Sequence, residues 1–185
     1  MSERPTREAL LAEYAAANSV YLTYDGFRWQ AGSFLIAGVF VYWGFLINTS
    51  GNVSVTTVSS ILVALLMSCW MLFANHYRQL YMHKLERMWE IERLLGMEQH
   101  LRFTKYSSSG RPVGAFGPRG HRIDLAVYVI TSLGGSAITW ARRGFSWTEL
   151  LVVVVVAVVV AYVTFNESRG KKARAVRLAS WDAQP

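Results

Sequence analysis

Four stretches limit what this chain can fold into: Trp29–Ile47, Val55–Ala74, Leu125–Trp140 and Trp147–Phe165, all free of charge except for Glu149 near the start of the last. In a water-soluble domain apolar residues recur every three to four positions along a helix, whereas here they are gathered into blocks. A block of nineteen helical residues, such as the first or the last, covers about 28 Å, close to the roughly 30 Å hydrocarbon core of a bilayer. The third block is the shortest and reaches that length only with Ile123 or the residues beside Arg142, or where the bilayer thins. The expected class is an all-α polytopic membrane protein with four transmembrane helices.

Charge placement predicts orientation. The 185-residue chain carries +7, which in a soluble protein would suggest nucleic acid. Here three Arg precede the first block, none of the residues from Asn48 to Thr57 is charged, nine Lys or Arg lie between Asn75 and Asp124, and five follow Asn166. The positive-inside rule then puts both termini and the long middle segment in the cytoplasm, with Arg142-Arg143 a minor contrary signal. No cleavable leader precedes the first block, so that span is expected to remain as an anchor. The expected layout is a cytosolic amphipathic helix (1–28), a transmembrane hairpin (29–74), a cytosolic helix extension with a Gly/Ser/Arg-rich loop (75–122), a second transmembrane hairpin (123–165) and a basic cytosolic tail (166–185).

The cytosolic parts carry the clearest recognition surface. Neither Pro nor Gly occurs between Asn52 and Gly96, so a helix leaving the second block has nothing to stop it until Gly96 or a turn later. Beyond the block, Tyr77, Tyr81, Met88, Ile91 and Leu95 recur at helical spacing, broadened by Leu85 and Trp89, while His83, Glu86, Arg87, Glu90 and Arg93 oppose them. Such a stripe needs a partner surface, whether another cytosolic helix, another subunit or the lipid interface, and its acidic residues favour protein over anionic headgroups. Leu10, Tyr14, Ala17, Tyr21 and Tyr24 form a second stripe over Thr6–Tyr24, the natural mate in a coiled-coil-like pairing, with a subunit contact through the same surfaces as the alternative. Asp25-Gly26 predicts an interruption before the first span.

The remaining motifs point to lipid or to packing. Arg28 beside Trp29, Arg119 and Arg122 in the loop, and Lys171, Lys172 and Arg174 after the last span are expected at anionic headgroups. Thr131, Ser132, Ser136 and Thr139 on the third span, with Gly134-Gly135 at its middle, suit close helix packing or else the lining of a narrow pore. Cys69 reads as a small buried residue and Glu149 as an exposed helix-start carboxylate. The loop glycines lack the Lys-Ser/Thr ending of a phosphate-binding loop. His76, His83 and Glu90 are two turns apart on one face, too far for one metal ion. With no acid or base deep in any span, neither catalysis, a metal nor a cofactor is expected, and nucleic acid is not the expected partner of the tail.

Tyr77-Arg78-Gln79-Leu80, Lys84-Leu85-Glu86 and Trp89-Glu90-Ile91-Glu92-Arg93-Leu94-Leu95 resemble the YRxLNxxKxxxIxxxE region of the small RipA-like bacterial membrane proteins, with Tyr81 at the position of the Asn. The stretch covers about 25 of the 185 residues. The chain is also similar in plan to two-span proteins of prokaryotic conflict systems that carry a cytosolic helix. The resemblance implies an oligomeric protein of the prokaryotic plasma membrane with no established catalytic residue. The expected function is a homo-oligomeric membrane scaffold or assembly protein that contacts lipid and a cytosolic protein partner. The alternative is an ion channel or membrane-permeabilising effector gated through the cytosolic helices.

Overall fold

The computed structural model describes residues 5–48, 53–97, 99, 120–144 and 146–182. Among them the chain forms four long helices: α1 (Arg7–Asn48), α2 (Val53–Leu95), α3 (Gly120–Arg143) and α4 (Trp147–Asp182). Each contains a stretch long and apolar enough to cross a membrane, so the chain is an all-α protein with four candidate spans.

Local chemistry fixes the helix ends. Thr6 opens α1, its hydroxyl accepting from the Ala9 N–H at 3.2 Å and its carbonyl from Leu10 at 3.1 Å. At the end of α2, Met97 N–H reaches back to the Glu92 carbonyl (2.8 Å) and Gly96 N–H to Arg93 (3.3 Å), with Gly96 at φ 69°. That paired closure needs a left-handed residue, which glycine supplies without a Cβ penalty. Gly144 (φ 81°) ends α3 through a 2.8 Å bond to the Trp140 carbonyl. Two residues later Ser146 opens α4.

Two expectations change. The break at Asp25-Gly26 is absent, because α1 runs through it as one helix. A lone internal glycine costs only about 1 kcal/mol relative to alanine, and the Asp25–Arg28 ion pair (3.3 Å) bridges the position one turn apart. The basic tail is likewise not a separate segment, since α4 continues past Phe165 to Asp182. Lys171 pairs with Glu167 at 2.7 Å in the i,i+4 geometry that supports a helix.

The chain divides into two compact units. Unit 1 takes Met1–Leu35 and Phe73–Asp124, and its core holds Leu10, Ala17, Met88, Trp89 and Ile91. Unit 2 takes Ile36–Leu72 and Leu125–Pro185. Its interior holds Val39, Trp43 and Leu46 of α1, Val63, Ala64 and Met67 of α2, Tyr128 of α3, and Val152, Val156 and Val163 of α4. Val41, Phe45, Leu62, Leu66, Ile130, Leu151, Val158 and Phe165 point outward on the same four helices. Helices that are apolar on both faces are at home in hydrocarbon.

Candidate functional site

In unit 1 the two aromatic stripes meet within the chain. Tyr21 stacks edge-on against Tyr81 (centroids 5.5 Å apart) and Tyr24 against Tyr77 (5.6 Å), while Phe27 closes on Tyr77 at 5.4 Å. Such T-shaped pairs are each worth about 0.5–1.5 kcal/mol beyond the area they bury. Leu10, Met88, Trp89 and Ile91 are buried, and Tyr14, Leu85 and Leu95 are half-buried. These are the residues expected at an oligomer or bundle interface. Packed inside one chain, the buried ones have no surface left to offer a second copy.

Polar groups fasten the same pairing. Arg87 grips Glu13 with two parallel bonds, Nε to Oε1 at 2.7 Å and Nη2 to Oε2 at 2.8 Å, and its Nη1 reaches Glu90 Oε2 at 2.6 Å. The hydrogen bond from Arg87 holds the Glu13 carboxyl below the usual carboxylate range. Glu92, at 0% exposure, accepts from the Tyr14 hydroxyl at 2.8 Å. Burial, then that hydrogen bond, pushes the Tyr14 phenol up. No pattern in the sequence marks Glu92 as buried, because its partner lies 78 residues away.

Arg28 differs from the headgroup contact expected of it. It is 8% exposed, with Nη1 on Asp124 (2.9 Å), Nη2 on Asp25 (3.3 Å), and its guanidinium 5.9 Å from the Tyr81 ring centre. Two carboxylates on its own protein hold it in a fixed geometry, and Asp124 is nearly as buried as Arg28 itself, so the guanidinium is turned to protein and not to a solvated phosphate. Lys171 and Lys172 are exposed and Arg174 half-exposed, all on the helical extension of α4. Arg119 and the side chain of Arg122 lie outside the described residues.

In unit 2 the hydroxyls expected along a pore face inward. Thr131 and Ser132 are 0% exposed, with Ser136 and Thr139 also buried. Thr131 bonds back to the Val127 carbonyl (2.7 Å), Ser132 to Tyr128 (2.7 Å) and Thr139 to Gly135 (2.9 Å), the usual way a helix quiets a hydroxyl in an apolar setting. The Thr139 oxygen also lies 3.1 Å from Ser60 Oγ of α2, whose own hydrogen bonds to the Thr56 carbonyl at 2.9 Å. The glycines make this fit: a Cβ on Gly134 would overlap the Trp43 ring, and one on Gly135 would press on Ser60. These four, expected at a helix contact or along a pore, are thus buried against protein within one chain.

Glu149 and Cys69 exchange their expected settings. Glu149 is 5% exposed; its Oε2 accepts from the Ser146 hydroxyl (2.9 Å), while its Oε1 is buried with no hydrogen-bond partner. Cys69 is exposed on the outward face of α2. No group of three His, Cys, Asp or Glu able to hold a metal occurs among the described residues. Comparison with protein-family models, with curated proteins and with solved structures finds no match to this chain.

Proposed function

We propose that the chain is an oligomeric integral membrane scaffold of the prokaryotic plasma membrane, with both termini and the segment 75–122 on the cytoplasmic side. The single observation that supports assembly over conduction is the distribution of polar groups in unit 2. Its hydroxyls on α3 are turned inward, Thr131, Ser132 and Thr139 bonding back to their own helix, and the outward faces of α2 and α3 present Val58, Leu62, Leu66, Val127 and Ile130. A passage made between copies across those faces would be walled by hydrocarbon and would tend to dewet, which opposes ion flow. The same faces suit lipid or a close neighbour in the bilayer. The uneven distribution of Lys and Arg supports the orientation, and the resemblance of Tyr77–Leu95 to the RipA-like stretch supports self-assembly.

Purified full-length chain in lipid nanodiscs and in liposomes tests this reading. The expected result is one fixed stoichiometry above a monomer by mass photometry, with no ion-flux signal above protein-free vesicles. Flux that scales with protein would replace the scaffold with the channel reading, and a monomer would remove both. Single cysteines at His83 and Arg174 in a Cys69→Ser background should react with an impermeant thiol reagent only after cells are opened.

A further inference from the structure

Helix α1 is longer than a bilayer's hydrocarbon core is thick. Its 42 residues cover about 63 Å, about twice that core, so lipid cannot cover all of its surface. The line of α1 that packs inside unit 1 runs through Leu10, Tyr14, Tyr21 and Arg28. The residue after each is Leu11, Ala15, Leu22 and Trp29, about 100° further round the helix. All four are exposed, Leu22 by 58% and Trp29 by 52%.

Gly26 and Ser33 extend this second line and are exposed as well. Leu11, Leu22 and Ser33 follow one another at eleven residues, as do Ala15 and Gly26. Eleven residues make about three turns, which keeps the stripe on one face of a nearly straight helix for about 33 Å. Bulky and small side chains alternate along it, and the Ser33 hydroxyl is already bonded to the Trp29 carbonyl at 2.8 Å. A Cβ on Gly26 would meet nothing within 4 Å, whereas one on Gly134 or Gly135 would strike another helix of the same chain. Gly26 therefore weakens α1 and leaves a notch that its own chain does not fill.

Whatever covers the stripe must pass from hydrocarbon into water beside α1. Trp29 and Ser33 lie in the apolar block Trp29–Ile47, but Leu22 is about 10 Å and Leu11 about 27 Å before Trp29 along the axis. Lipid suits the first pair and a soluble protein only the second. The same helix of a second copy suits both, and copies inserted the same way round in one bilayer place those helices parallel. Charge on the flanks fits that arrangement. Arg7 and Glu8 are both exposed and straddle Leu11, one turn before it and on opposite sides of the stripe. The two-fold axis of a parallel pair sets the Arg7 flank of each helix beside the Glu8 flank of the other, giving two opposite-charge contacts.

We propose that two copies of this chain join through the stripe from Leu11 to Ser33, α1 against α1 in parallel. The proposal rests on the reading of the chain as an oligomeric membrane protein and adds which surface does the joining. It leaves the aromatic pairing of α1 with α2 intact inside each copy.

The test places single cysteines in the full-length Cys69→Ser chain in lipid nanodiscs and oxidises them with copper phenanthroline. Leu11→Cys, Leu22→Cys and Gly26→Cys should give covalent dimers on a denaturing gel. Ala16→Cys and Thr23→Cys, exposed on other faces of α1, should not. Mass photometry of the unoxidised samples separates this proposal from the reading beneath it. Oligomers that link at no position, only at the two control positions, or at all positions alike would overturn the stripe and leave assembly standing, whereas monomers would overturn both. At low salt Arg7→Glu should lower linking through Leu11→Cys and the added change Glu8→Arg should restore it; linking indifferent to both would overturn the parallel arrangement.

Discussion

Tyr14, two turns into α1, donates its phenolic hydrogen across 2.8 Å to Glu92 in the last turn of α2, within unit 1. Glu92 is fully buried, so removing its donor leaves a carboxylate oxygen short of a bond in the interior. Tyr14→Phe should therefore destabilise the chain by about 1.5–3 kcal/mol, the range for a hydrogen bond to a charged group. Chemical denaturation followed by tryptophan fluorescence measures it. Because the folded phenol titrates above its ordinary value of 10.0, its contribution is whole below that pH and lost as pH rises toward the folded value. Wild type should weaken in that window, and Tyr14→Phe should weaken less.

The Arg87–Glu13 fork has good geometry but is exposed, with 37% and 46% of the two side chains open to solvent. A coupling of no more than about 1 kcal/mol is expected from a double-mutant cycle with Glu13→Gln and Arg87→Gln. The Glu13 carboxyl is held below 4.5, so the coupling is present above that pH and fades as acid takes the pH down through the folded value. High salt should erase most of it.

Arg28 lies between Asp25 and Asp124 with little solvent around it. Truncating it strands two carboxylates, one of them on α3. Arg28→Ala should cost about 3–5 kcal/mol, whereas the paired change Arg28→Leu with Asp124→Leu should recover much of the loss. Thermal unfolding of the detergent-solubilised chain distinguishes the two.

Gly134 is where the Trp43 ring needs space. Gly134→Ala should destabilise by about 1–3 kcal/mol through overpacking, and Trp43→Leu in the same chain should restore part of it. An additive double mutant would show that the two positions do not meet.

Substitutions meant to test assembly must avoid the buried stripe. Met88→Asp places a charge at a position with 0% exposure and should unfold unit 1, confusing assembly with folding. Leu22 and Leu94 are exposed at 58% and 61%. Leu22→Glu and Leu94→Glu, made separately, should each leave helix content by circular dichroism unchanged, and a lower subunit count by mass photometry in either marks that surface as a contact between copies.

Much of this was readable from residue spacing. The end of α2 at Gly96 follows from an unbroken run that meets a glycine, and the Tyr21–Tyr81 and Tyr24–Tyr77 contacts follow from stripes at spacings of three and four. What could not be read depends on partners distant in sequence. Glu92 looks like any surface carboxylate until Tyr14 is opposite it, and Arg28 beside a tryptophan looks like a headgroup anchor until Asp124 arrives from α3. The hydroxyls of α3 were ambiguous for another reason: a serine that lines water and one that packs against a helix have the same sequence signature. Only the direction of the face, set by Trp43 and Ser60, separates them.

Because α4 does not break after Phe165, each residue beyond it adds about 1.5 Å along one axis. Lys171 then stands about 9 Å past that ring and Arg177 about 18 Å, on a stem that holds both at set heights. With α4 upright in a bilayer, screening over about 8 Å at physiological ionic strength makes the first cation sensitive to the leaflet's charge and the second nearly blind to it. The extension thus grades its positive charges by altitude, as a loose tether could not, and leaves the upper ones available to whatever approaches from the side on which it stands.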